Sequence, residues 1–336
     1  MPEECCATES PAAGLPVPAP APELFFELFA FRFHFRASDS IYFPPGKSGN
    51  IVRGAFGTVF RQLACVSKCH EARNCNERAS CAYARIFEPV APAGEGPSGL
   101  RDWPRPFVFR AAHLDGRIVE PGRGFHFDVH LFDLKDPSAV YFVLAFAELA
   151  REGIGPRRGR AALVRVDQLD GAGRPCAQIY NGHTFLARDL APPVRLHLDR
   201  PVDPVSKVTV RFLTPTELKH GQVLAAKPEF PILVGRIRDR ISTLRALYGA
   251  GPLELDFTGL SERAASVAMT SCSIDYTEAE RKSARTGERH PLGGFVGQAV
   301  YEGALGEFMP WLKAAPWVGV GRQTVWGKGV IDVVAG

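Results

Sequence analysis

One order of hydrophobic periodicities occurs twice along this chain of 336 residues, and it restricts the fold more than any single motif does. In the first block, Phe31-Arg32-Phe33-His34-Phe35-Arg36 alternates with period two, so residues 24–36 read as a strand. Residues 50–64 carry Val52, Phe56, Val59, Phe60 and Leu63 at helical spacing, with Asn50 as the expected N-cap. PFVFRAA and GFHFDVHLFDL then read as two strands. A helix opened by Asp136-Pro137 follows, and then a glycine-arginine loop leads into a strand. The second block repeats this order. SKVTVRFLTP reads as a strand, and EFPILVGRIRDRISTLRALYG as a helix ended by Gly249. Strands are expected within ERAASVAMTSCSIDYTEAERKSART and PLGGFVGQAVYEG, a helix in ALGEFMPWLKAA, and a loop with a last strand in VGVGRQTVWGKGVIDVV. The expected class is α+β, with two tandem ferredoxin-like (βαββαβ, RRM-like) domains over 23–200 and 201–336. The Pro/Ala-rich residues 1–22 read as a disordered tail.

The last loop narrows the chemistry. Its glycines 319, 321, 327 and 329 are interleaved with Arg322 and Lys328. A Walker loop needs Ser or Thr after the lysine and a helix beyond it, but here Gly329 and a β-branched run follow. A dinucleotide fingerprint fails for the same reason. Nucleic-acid backbone, or a purely structural turn, remains. In favour of nucleic acid, arginines cluster. One run holds Arg157, Arg158 and Arg160, another Arg236 and Arg240, and a third Arg285, while the net charge is +4. The competing reading of any one cluster is a solvated face.

Four of the eight cysteines, Cys65, Cys69, Cys75 and Cys81, fall in one short insertion over 65–81. In a reducing compartment such a cluster suggests a structural zinc, with His70 as a substitute ligand; buried thiols are the other reading. Four thiolates would close the metal's shell and leave no place for substrate. The N-terminus lacks the basic start and apolar core of a signal peptide, and no run of apolar residues is long enough for a membrane span. The expected location is therefore the cytoplasm.

Several stretches, in order, resemble the CRISPR-associated endoribonucleases that process precursor crRNA, the sixth Cas protein of the RAMP superfamily. They are NIVRGAFGTVFRQLAC, LFDLKDPSAVYFVLAFAELAREGIGPRRGR, TVRFLTPTELKHG, FPILVGRIRDRISTLRALYG and LGGFVGQAVYEGALGEFMPWLKAAPWVGVGRQTVWGKGVIDV. The resemblance implies repeat-hairpin RNA as substrate, other Cas proteins as partners, and metal-independent cleavage that leaves a 2′,3′-cyclic phosphate and a 5′-OH. It implies no catalytic cofactor, and it makes Gly319, Gly321, Arg322, Lys328 and Gly329 an RNA-holding loop. Many members place a histidine in or just before the first helix. This chain has none between Ser38 and Cys69; Tyr42, Lys47, Ser48 and Arg53 stand there instead. His290, among basic residues before PLGG, is the first histidine candidate, ahead of the strand residue His34. Glu217 stands where relatives often carry a basic residue. Two other functions compete: a non-catalytic RAMP subunit that binds crRNA in an effector complex, and a zinc-stabilised protein-interaction module. The second explains the cysteines but not the arginines.

Overall fold

The computed structural model describes residues 23–65, 74–90, 103–136, 138–186, 190–199, 204–278, 280–282, 289–291 and 293–336. In the first domain the elements are β1 (Phe25–Ala37), β2 (Ile41–Tyr42), α1 (Ser48–Ala64), α2 (Ala82–Ile86), β3 (Phe107–Arg110), β4 (Ile118–Val119), β5 (Gly124–Leu131), α3 (Ala139–Glu152), β6 (Ala161–Leu169), β7 (Pro175–Tyr180) and β8 (Val194–His197). The second domain has β9 (Lys207–Thr216), β10 (Lys219–His220), β11 (Val223–Leu224), α4 (Phe230–Tyr248), α5 (Phe257–Ala265), β12 (Ala268–Thr277), β13 (Glu280–Lys282), β14 (Arg289–Pro291), β15 (Gly294–Glu302), α6 (Met309–Val318) and β16 (Ile331–Ala335).

The main sheets run β3-β5-β1-β6-β7 and β12-β15-β9-β16. In each, the first and third strands of the βαββαβ unit lie side by side in the centre, which is the ferredoxin-like order twice over. Period-two alternation sets the two faces of the first sheet. Phe29, Phe31, Phe33 and Phe35 of β1 join Phe125 and Phe127 of β5 beneath α1 and α3. Phe56 of α1 anchors this aromatic core, stacking on Phe142 of α3 at 4.7 Å between ring centroids. Arg32 and His34 fall on the opposite face, across from Asp128 and His126 in the antiparallel register.

Three sequence expectations shift. α1 starts two residues before Asn50, with Lys47 as its N-cap, because the Asp115 carboxylate accepts from Ser48 N at 2.8 Å and supplies the cap from outside the helix. β7 and β8 extend the first sheet beyond four strands, β8 pairing with the start of β1. The stretch from Glu262 expected to contain a strand opens on the last turn of α5, a helix not expected from the sequence, whose N-cap Asp256 accepts from Gly259 N at 2.9 Å. Replacing that carboxylate, Asp256→Ala, should lower unfolding free energy by about 1 kcal/mol, measured as a shift in denaturant midpoint.

The two domains share apolar surface. Phe26, Leu28, Ala30 and Val108 of the first sheet belong to the core built on α4 and α6. At the same boundary the last carbonyls of α6, which have no partner within the helix, are taken by side chains from other elements. Arg110 of β3 donates to Pro316 O at 2.7 Å, the His130 Nδ1 of β5 meets Trp317 O at 2.8 Å, and Arg240 of α4 donates to Val318 O at 2.8 Å. Desolvation pushes the Arg240 guanidinium down to about 9 and His130 down to about 4, so the imidazole is neutral near pH 7.

Candidate nucleic-acid interface

The glycine-rich loop begins where α6 ends. Its first glycines reverse the chain in a conformation that side chains avoid: Gly319 has φ 78° and Gly321 φ 76°. Val320 N then donates to Gly329 O at 2.8 Å, and Gly329 N to Pro215 O at 3.1 Å, closing the loop onto β9. A Cβ on Gly321 would sit 2.3 Å from Glu217 O. The loop's far end docks on the first domain. A Cβ on Gly49 of α1 would meet Trp326 O at 2.6 Å, so backbone approaches backbone there. The Trp326 ring lies 3.6 Å from the Arg53 guanidinium carbon, and Phe87 lies 4.3 Å from the same carbon. Arg53 is thus clamped between aromatic rings by cation–π contact.

Between the docked loop and the start of α1 lies a cavity of about 350 Å³. Ser48, Gly49, Asp115, Thr214, Trp326 and Lys328 are among its lining residues. Lys328 is only 4% exposed, and its ammonium donates to Gly46 O at 3.4 Å. Desolvation lowers its pKa, Asp115 opposes that shift, and nearby Lys47 adds to it. The Ser48 hydroxyl is buried and has no hydrogen-bond partner among the described residues. The lining therefore combines an ammonium group, a carboxylate, a hydroxyl and the positive end of a helix, with the Lys47 ammonium close enough to act on Lys328. Such a set can hold a phosphodiester and stabilise charge building on it.

The structure brings together Lys47, Ser48 and Lys328, and it adds Asp115. No sequence motif marked Asp115, because its role depends on a turn from β3 reaching the N-terminus of α1. Other candidates lie elsewhere. Tyr42 is half-buried in the short β2–β4 pair. His290 lies on β14, paired with Arg281 of β13, and its side chain is outside the described part, as is Arg285. Arg158, Arg160 and Arg236 bind carboxylates of Glu152, Asp39 and Asp239 at 3.6, 2.8 and 2.8 Å, while Arg157 is exposed. Arg240 faces the domain boundary, where its Nε is used by Val318 O. Arg322 pairs with Glu217. Cys69 and His70 lie outside the described residues. Among the described residues no group of three or more His, Cys, Asp or Glu could hold a metal, so Cys65, Cys75 and Cys81 lend the zinc expectation no support.

Paired ferredoxin-like domains with a glycine-rich loop between them define the class of fold. A family profile for an AF_1859 N-terminal domain matches residues 26–193, and that for the CRISPR-associated endoribonuclease Cas6 matches residues 210–331. The second domain is thus similar to the CRISPR-associated endoribonuclease Cas6 family over residues 210–331. No curated protein matches it in sequence. Among solved structures, a Thermus thermophilus Cas6 product complex is similar in fold, with TM-score 0.51 and 17% identity over 92% of this chain and 99% of that one. A partial Cas6-RT-Cas1–Cas2 complex is similar with TM-score 0.53 and 11% identity, over 92% of this chain and 46% of that one. No helix among the described residues is long and apolar enough to cross a membrane.

Proposed function

We propose that the chain cleaves CRISPR repeat hairpin RNA in the cavity between α1 and the glycine-rich loop, without a metal ion. The observation that carries this reading is the position of Lys328, buried and held beside Asp115 and the N-terminus of α1. A ribose 2′-OH gives up its proton to the Asp115 carboxylate, and O2′ attacks the adjacent phosphorus. The P–O5′ bond breaks, and Lys47 supplies the proton to the leaving oxygen. Lys328 and the first-turn amides face the charge of the phosphorane. The products are a 2′,3′-cyclic phosphate and a 5′-OH. The glycines shape the loop, and the cations beside them hold the RNA backbone.

The product complex among its structural relatives supports RNA as the ligand, and the Cas6-RT-Cas1–Cas2 assembly supports other Cas proteins as partners. A second reading, crRNA binding without cleavage, is favoured by one observation: the cavity's described lining contains a carboxylate but no imidazole. The test is incubation with the cognate repeat hairpin in EDTA, followed by mapping of the product ends. A single cut leaving a cyclic phosphate is expected. Tight binding with no cut would establish the second reading.

A further inference from the structure

Most described arginines of this protein are neutralised internally. Arg32, Arg160, Arg165, Arg174 and Arg263 all hold carboxylates within 3.0 Å. Arg36, Arg117 and Arg123 differ, because none has an ion-pair partner among the described residues, and all three are exposed. They converge. Arg36 pairs across the sheet with Gly124, and Ala37 N donates to Arg123 O at 3.0 Å. Arg117 and Arg123 line a groove of about 280 Å³, together with His113, His126, Ile118 and one acid, Glu120.

The groove also has a surface for bases. His113 and His126 stack with centroids 4.7 Å apart, and His113 is locked by a 2.9 Å bond between its Nε2 and His126 O. Burial lowers the His126 pKa, so this imidazole is neutral at pH 7 and serves as a stacking face. Ile118 is 58% exposed beside it. A flat imidazole pair, an exposed aliphatic side chain and unpaired guanidiniums form the combination that holds single-stranded nucleic acid, by stacking and by phosphate contact.

Position links the groove to the cavity described above. The turn from Ala112 to Asp115 is their common wall: Ala112 and Asp115 face the cavity, while His113 and Leu114 face the groove. We propose that this groove binds the single-stranded segment of the RNA that flanks the hairpin. This rests on the RNA reading of the cavity and extends it to a second subsite.

The test compares two RNAs, a bare repeat hairpin and the same hairpin with its single-stranded flank, against wild type and the double variant Arg117→Glu/Arg123→Glu. The flanked RNA should lose about tenfold or more in affinity, and its log–log salt slope should shrink by about 1.4, two phosphates at roughly 0.7 each. Binding and cutting of the bare hairpin should be unchanged, which also shows that the variant is folded. The milder Arg117→Gln/Arg123→Gln should give a smaller loss on the flanked RNA alone. Equal losses on both RNAs, or none on either, would overturn the proposal; no loss on either is also what a groove meant for an acidic protein would give. Wild type that binds neither RNA would overturn the RNA reading of the cavity as well.

Discussion

Lys328→Met should reduce hairpin cleavage by about 10²–10³-fold while weakening hairpin binding by less than about tenfold. That range is what the loss of one preorganised charge facing a transition state costs. Methionine keeps the volume of a side chain that is 4% exposed, so packing changes little. Single-turnover cutting and equilibrium binding, measured on one preparation, separate the two effects. An unchanged cutting rate would remove Lys328 from the chemistry.

The same residue gives a pH signature. Its pKa is lowered from the ordinary lysine value, chiefly by desolvation. The cation is therefore lost as pH rises through that depressed value, and cleavage should decay at a pH below the ordinary range near about 10.4. Stability moves the other way. In the window between the folded and unfolded pKa values the unfolded chain binds more protons, so unfolding free energy rises with pH. Opposite slopes for rate and stability identify the lysine as a catalytic cation and exclude alkaline unfolding as the cause of lost activity.

Gly329→Ala should cost about 3 kcal/mol of stability, the sum of left-handed backbone strain and overpacking. Its φ is 66°, and an added Cβ would lie 1.9 Å from Val320 O, a backbone atom that has no rotamer to change. Gly173→Ala is the control. Gly173 has φ 73° but nothing within 4 Å of its would-be Cβ, so only the strain of about 1 kcal/mol applies. Denaturant midpoints of the two variants should differ accordingly. Equal shifts would mean that the loop yields to the added methyl group and does not hold the strand β16 in register.

The ferredoxin-like repeat was legible because phenylalanine alternation in β1 and helical spacing in α1 and α4 are strong local signals. The resemblance to the Cas6 family rested on segments in the correct order, and the profile match over residues 210–331 agrees with it. The site was only half legible. Lys47, Ser48 and Lys328 lie in segments that sequence reading singled out. Asp115 lies in a turn with no periodicity, and its partner Ser48 is 67 residues away. The pairing of the clustered arginines was not legible, for a physical reason. Charge density along the chain does not report whether each guanidinium is already bound to its own carboxylate, as Arg160 is to Asp39 and Arg322 to Glu217. Arg36, Arg117 and Arg123, which hold no ion pair among the described residues, are separated in sequence; the β1–β5 pairing sets Arg36 opposite Gly124, beside Arg123, and Arg117 and Arg123 line one groove.

The three side chains that cap α6 restrict how this protein can be rebuilt. Arg110 and His130 come from the first sheet, while the carbonyls they hold immediately precede the glycine-rich loop. Neither half is therefore a portable module. A chimera joining one domain to a relative's other half would leave helix-end carbonyls stranded in an apolar seam unless the donors travelled with it. Recombination between such proteins should succeed only where both sides of that seam are inherited together.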